Sequence, residues 1–172
     1  PIIAPSQDIV LGSYYLTTVG PKDPGLKPED LPTYADMEEA LTAYQTQEAG
    51  IHQRCRLRRG HEFIETTVGR IIFNQIIPPG FGYVNEQMEK SKLSKIITEC
   101  YKRFGHHRTV ILLDDLKKIG FEYATLGGIS ISMDDLKIPE GKRKIIEQSY
   151  QDVAHVEKQH KRGIITEGER YN

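Results

Sequence analysis

The chain has 172 residues, 38% of them hydrophobic, with 23 Lys and Arg against 24 Asp and Glu and a net charge of -1. That length holds one domain or two small ones. The balance lacks the basic excess of a free-standing nucleic-acid binder, so any work near nucleic acid has to go through local patches or a larger assembly. Two cysteines, Cys55 and Cys100, stand far apart with no CxxC spacing. This argues against a zinc site or a disulfide framework and for reduced thiols in a cytosolic compartment. No apolar run approaches the roughly 20 residues that span a bilayer, and no charged-then-apolar leader opens the chain. The expectation is a cytoplasmic protein without a membrane partner.

The run Ile9 to Thr17 is rich in β-branched and aromatic residues and reads as a strand or a short buried helix. From Gly20 to Thr33, four prolines and two glycines predict a loop. Asp36 is placed to cap a helix that carries Met37, Leu41 and Tyr44 on one face and ends near Gly50. Between Gln53 and Arg58, Arg54, Arg56 and Arg58 alternate with Cys55 and Leu57, which predicts a strand with one basic face. Arg59-Gly60 turns the chain. Phe63 to Ile77 is expected to return as extended structure with a bend at Gly69, stopped by Pro78-Pro79-Gly80.

The second half reads as helical. Leu93, Ile96, Ile97, Cys100, Tyr101 and Phe104 form one apolar face that Gly105 closes. Thr109 is placed to cap a second helix with Val110, Leu113 and Leu116, closed by Gly120. Gly127-Gly128 interrupts, and Ile129 to Ser132 reads as a short β segment. Pro139 suits a first helical position, and the pattern from there to about Arg162 is helical. Ile146, Ser149, Val153, Val156 and His160 make a narrow seam that calls for a partner helix. Gly163 ends this helix. Thr166 and Glu169 then make a capping box, so a further helix starts there and its continuation is expected outside this sequence. The fold class expected is α+β, with an extended, β-rich first half and a helical second half that ends in a truncated long helical hairpin.

His106-His107, Asp114-Asp115 and Asp134-Asp135 invite a metal reading. Adjacent residues point to different faces, and convergent ligands at metal spacing are not evident. His155 and His160 are five apart, which is not the four of a shared helical face. The Lys142-Arg143-Lys144 run suits a solvated helix face. No nucleophile–base–acid triad or phosphate-binding glycine loop is readable. Residue chemistry alone therefore stops at an α+β segment without a self-contained active site.

Ordered blocks go further. Pro5-Ser6-Gln7-Asp8-Ile9-Val10-Leu11-Gly12 with Tyr14-Tyr15-Leu16-Thr17 is followed by Thr66-Thr67-Val68-Gly69-Arg70, Phe73-Asn74 and Pro78. Then come Thr109, Leu113-Asp114, Lys117, Gly120-Phe121, Tyr123-Ala124-Thr125, Gly128-Ile129-Ser130, Asp134-Asp135, Ile138-Pro139 and Lys142. Gly163-Ile164-Ile165-Thr166 and Glu169-Arg170-Tyr171-Asn172 complete the set. Together they resemble the largest, β′ subunit family of bacterial DNA-directed RNA polymerase. Ser13 departs from the apolar residue more usual there, and Val19 to Arg58 is variable.

The resemblance implies a pore module over 1–135, bordering the secondary channel through which nucleotides reach the active site, and the start of a funnel module with rim helices over 136–172. It implies a transcription enzyme, a nucleotidyltransferase, whose Mg2+ ligands lie in a catalytic aspartate motif that this chain lacks. The segment itself would therefore be non-catalytic and hold no cofactor. Implied partners are the other polymerase subunits (β, α, ω and σ), template DNA, the RNA 3′ end, incoming nucleotides, Gre-type cleavage factors and the coiled-coil factor that acts with an alarmone. Localisation would be cytoplasmic, with the nucleoid. Ser6, Gln7, Asp8 and Arg70 are the residues expected near the active centre; the alternative is that Ser6 and Asp8 cap a turn or helix and that Arg70 pairs with a carboxylate. Asp114, Lys118, Glu169, Arg170 and Asn172 match positions of factor or alarmone docking, and Glu169 also has a capping role. The rival reading is a stand-alone transcription-related interaction module with a helical handle.

Overall fold

The computed structural model describes residues 4–20, 30–130 and 132–171. The chain divides into two compact units, Pro1–Ile129 and Ser130–Asn172. The expected mixed α+β architecture is what the first unit displays.

Helix α1 spans Asp8–Thr17 and buries Gly12, Ser13, Leu16 and Thr17. That spacing of three and four decides between the two readings of this run, because a strand would bury alternate residues. Two buried hydroxyls are satisfied by back-bonding: Ser13 Oγ donates to the Ile9 carbonyl (2.7 Å) and Thr17 Oγ1 to the Ser13 carbonyl (2.8 Å).

Most of the predicted loop, residues 21–29, lies outside the described residues. Its end forms strand β1, Thr33–Tyr34. Asp36 caps α2 (Met37–Gln45) as expected, accepting from the Glu39 amide at 2.9 Å. The helix stops before Gly50 because Gln47 takes a left-handed turn (φ 63°), while the Glu48 and Ala49 amides fold back onto the Ala43 carbonyl.

Strands β2 (Arg54–Arg59) and β3 (Glu62–Thr67) form an antiparallel hairpin through Gly60, with Arg54 opposite Thr67 and Arg58 opposite Phe63. β1 adds in parallel, with Thr33 beside Arg56, so the sheet order is β1-β2-β3. The expectation of extended structure to Ile77 is overturned after Thr67. Thr67 caps helix α3 (Val68–Asn74), its hydroxyl accepting from the Arg70 amide. Val68, Ile71, Ile72 and Phe73 are all buried, so this short helix is apolar around most of its girth and shows no readable period.

The two helices expected between Leu93 and Gly120 are both present and meet at a kink at Gly105 (φ 77°, ψ −174°), as expected of that glycine; together they are labelled α4 (Lys90–Gly127). Thr109 is not a cap. It lies inside the helix, where its hydroxyl donates to the Gly105 carbonyl at 2.8 Å and meets Cys100 Sγ. Gly120 does not end the helix either. The left-handed Gly128 does, its amide donating to the Thr125 carbonyl. The core lies among α1, α3, α4 and the inner face of the sheet, around Leu16, Leu57, Ile71, Phe73, Leu93, Leu112 and Leu116.

The expected β segment at Ile129 to Ser132 is not a strand at its described residues; Ile131 lies outside them. Ser132 instead caps one 3-10 turn, Met133–Asp135. Helix α5 is Lys142–Lys161. It begins three residues after Pro139, whose carbonyl closes a turn with the Lys142 amide. At 1.5 Å per residue α5 is about 30 Å long, and no residue on it is buried. Gly163 (φ 69°) ends it with the Ile164 amide on the Gln159 carbonyl, and α6, Glu167–Tyr171, follows.

Candidate functional site

Ser6 and Gln7 lead into α1. The Ser6 carbonyl, not its hydroxyl, closes the entering turn with the Ile9 amide (3.3 Å). Gln7 occupies the cap position with φ 48° and ψ −124° and makes no side-chain cap bond. A non-glycine residue in that conformation costs on the order of 1–3 kcal/mol. Asp8 sits in the first turn, where its charge complements the helix dipole. All three are exposed. Gln7 lines an open groove of about 380 Å3 with Val10, Leu11, Tyr14, Glu89 and Lys90.

Arg70 has a different character. Its Nε donates to the Thr17 carbonyl (3.1 Å), and Nη1 donates to the Asn85 carbonyl (3.1 Å) and to Asn85 Oδ1 (3.2 Å). These acceptors are neutral, so Arg70 neither forms the expected carboxylate pair nor presents an unengaged guanidinium. Burial pulls it below its ordinary value, opposed by Tyr83 and Glu86. Around it runs a polar network that periodicity did not reveal. Thr66 Oγ1 donates to Asn85 Oδ1 and shares a hydrogen bond with the Tyr83 hydroxyl (both 2.9 Å), and Asn85 Nδ2 donates to the Glu65 carbonyl (2.8 Å). Burial pushes the Tyr83 hydroxyl up to about 12. Asn74 grips Val84, accepting from its amide (2.8 Å) and donating to its carbonyl (2.7 Å). Thr17 Oγ1 accepts from the Met88 amide at 2.8 Å. The sequence signal for this network was a set of polar residues, Thr66, Thr67 and Asn74, lodged within an apolar run.

The expected docking residues fall in both units. On α4, Asp114 pairs with Lys117 (3.1 Å) and Lys118 with Asp115 (3.7 Å); Asp115 is half-buried and the other three are exposed. In the second unit Glu169 completes the capping box: its Oε2 accepts from the Thr166 amide and hydroxyl, each at 2.8 Å. Those bonds hold its carboxyl below the usual range. Arg170 pairs with Glu167, which also meets His160 Nε2 at 3.0 Å. Asn172 lies outside the described residues. Among the described residues no three His, Cys, Asp or Glu side chains converge as a metal site needs. Cys55 and Cys100 are buried free thiols, and burial pushes Cys55 up to about 12. Among the described residues no helix is long and apolar enough to cross a membrane.

Residues 1–136 match the family described as RNA polymerase Rpb1, domain 3. The chain belongs to that family. Its relatives include the protein named DNA-directed RNA polymerase subunit beta' of Desulforamulus reducens, 44% identical over 172 residues that make up 99% of this chain and 14% of the relative. Those of Pelotomaculum thermopropionicum and Aquifex aeolicus are also 44% identical, over 99% and 100% of this chain. The chain thus spans only 14% and 11% of the length of the Desulforamulus and Aquifex relatives.

Proposed function

We propose that the chain is a segment of a β′ subunit of DNA-directed RNA polymerase and forms part of the wall of the channel through which nucleotides reach the active site. It takes part in nucleotidyl transfer only within the whole enzyme. The observation that carries this reading is the continuity of the match, which runs at 44% identity through 99% of the chain. In this role the segment is a scaffold. The Arg70 and Asn74 networks fix the stretch from Tyr83 to Met88 against α1 and α3, and Gln7, strained and exposed beside an open groove, lies nearest the reacting RNA end. The Mg2+ of the reaction is held elsewhere in the enzyme.

Residues 136–172 act as the start of a rim at the channel mouth, where cleavage factors and the alarmone-linked factor dock. Supporting this, α5 leaves Ile145, Ile146, Tyr150 and Val153 exposed, Tyr150 by 73%. Such a stripe is suited to a helix from the rest of the subunit. Glu169 and Arg170 are engaged within α6, so a docking factor competes for them or uses their outer atoms.

The test is a polymerase assembled from all its subunits with a photoreactive amino acid at position 7 of this segment. Cross-linking to the RNA 3′ end in halted and backtracked complexes is the expected result. Its absence from both overturns the channel-wall assignment.

A further inference from the structure

The alternating arginines of β2 take no part in the networks above. The sheet has two unlike faces. The inner one carries Cys55 and Leu57 into the core. Period-two alternation and the register put Thr33, Arg54, Arg56, Arg58, Phe63 and Glu65 together on the outer one.

We propose that this outer face is a contact surface for a single strand of nucleic acid, with Phe63 as a stacking platform and Arg56 and Arg58 as phosphate contacts. Three arginines face one glutamate there. Glu65 is taken by Arg54, which leaves Arg56 and Arg58 without a carboxylate partner among the described residues. Both are held in place. The Arg56 guanidinium lies over the Phe63 ring at 4.8 Å from its centroid, and Arg58 Nε donates to the Gly60 carbonyl at 3.2 Å, leaving its two terminal nitrogens to a ligand. A fixed planar fork loses less freedom when it binds an anion than a floating side chain does. Phe63 is 47% exposed within this cationic row. Acidic peptides pair with guanidinium as well, but an aromatic ring set among arginines on an open sheet is the combination that takes stacked bases together with their phosphates. The chain's overall charge of -1 fits a local patch rather than a general polyanion binder.

The proposal rests on the polymerase-segment reading, and one experiment separates the two. Whole polymerase is assembled with the photoreactive residue at position 63 or at position 7, on labelled DNA and RNA. Cross-linking from position 63 to RNA or to one DNA strand is expected, and the labels report which. The yield per assembled enzyme should fall about tenfold with Arg56→Gln and Arg58→Gln together, and steeply as salt is raised. Cross-linking from position 63 to protein alone overturns the proposal in favour of an acidic polypeptide. Nucleic-acid cross-linking from position 7 but not 63 overturns it and leaves the channel reading standing. Cross-linking from neither overturns both.

Discussion

Gly12 of α1 and Gly120 of α4 meet backbone to backbone. A Cβ built on Gly12 would lie 1.8 Å from the Gly120 carbonyl oxygen, and one on Gly120 would lie 2.7 Å from Ile9 Cα. Neither obstacle is a side chain that can swing away, so the two helices cross at the closest distance their backbones allow. Gly12→Ala should therefore cost about 3 kcal/mol or more, at the upper end of overpacking effects. It should lower the urea midpoint with little change in slope. A midpoint within error of the parent would mean that the crossing is looser than described.

Arg70 should behave as a structural tie. Arg70→Ala removes three hydrogen bonds from a charged donor and leaves the Thr17 and Asn85 carbonyls unpaired, a loss of about 2–3 kcal/mol. Arg70→Lys should recover less than half of it, since an ammonium cannot reproduce the fork that reaches both carbonyls. Unfolding curves of the two variants check this; equal stability of Arg70→Lys and the parent would contradict it.

Gly105 combines φ 77° with ψ −174°, a region that essentially only glycine occupies. Gly105→Ala is expected to destabilise the first unit by about 1–3 kcal/mol. The open space around the position rules out a clash as the cause. Gly105→Asn should be no better, because this is not the left-handed helical region that Asn tolerates.

The α6 cap should titrate. Bonds from Thr166 hold the Glu169 carboxyl below the ordinary 4.5, and the Arg170 hydrogen bond does the same for Glu167. A folded value depressed in this way stabilises the helix start above the unfolded value. The contribution is lost as pH falls through the folded one. Amide protection over residues 166–171, taken relative to the intrinsic exchange rate at each pH, should be greatest near neutrality and fall as the pH drops below the ordinary carboxylate range, while Glu169→Gln should flatten that response. An α6 equally protected at pH 3 and pH 7 would rule out the carboxylate cap.

Local chemistry was legible in the sequence where one residue acts on its near neighbours. The Asp36 cap, the Gly60 turn, the arginine alternation of β2 and the Thr166–Glu169 box could all be read in place. Features that depend on distant partners could not. Gly120 looked like a helix stop because a glycine at a helix end and one at a helix crossing are the same letter. Val68 to Phe73 looked extended because burial on most sides erases the helical period. β1 is two residues long and exists only because Arg56 and Leu57 lie beside it. Among the expected site residues, Ser6, Gln7 and Asp8 are exposed at the head of α1. Arg70 was singled out by its motif, yet its ties to Thr17 and Asn85 span 53 and 15 positions, beyond what any local pattern records.

Asn74 makes with Val84 the two backbone bonds that a neighbouring strand would otherwise make. A single side chain thus stands in for a rung of a sheet, and the span from Gln75 to Tyr83 is pinned at its far end without secondary structure of its own. The tip around Gly80 is tied separately, by Arg103 donating from Nη2 to the Gly80 carbonyl (2.9 Å) and from Nη1 to the Phe81 carbonyl (3.0 Å). An Asp at position 74 would keep the acceptor and lose the donor, so the Val84 carbonyl would give up this partner and the loop would depend more on the ties at its tip.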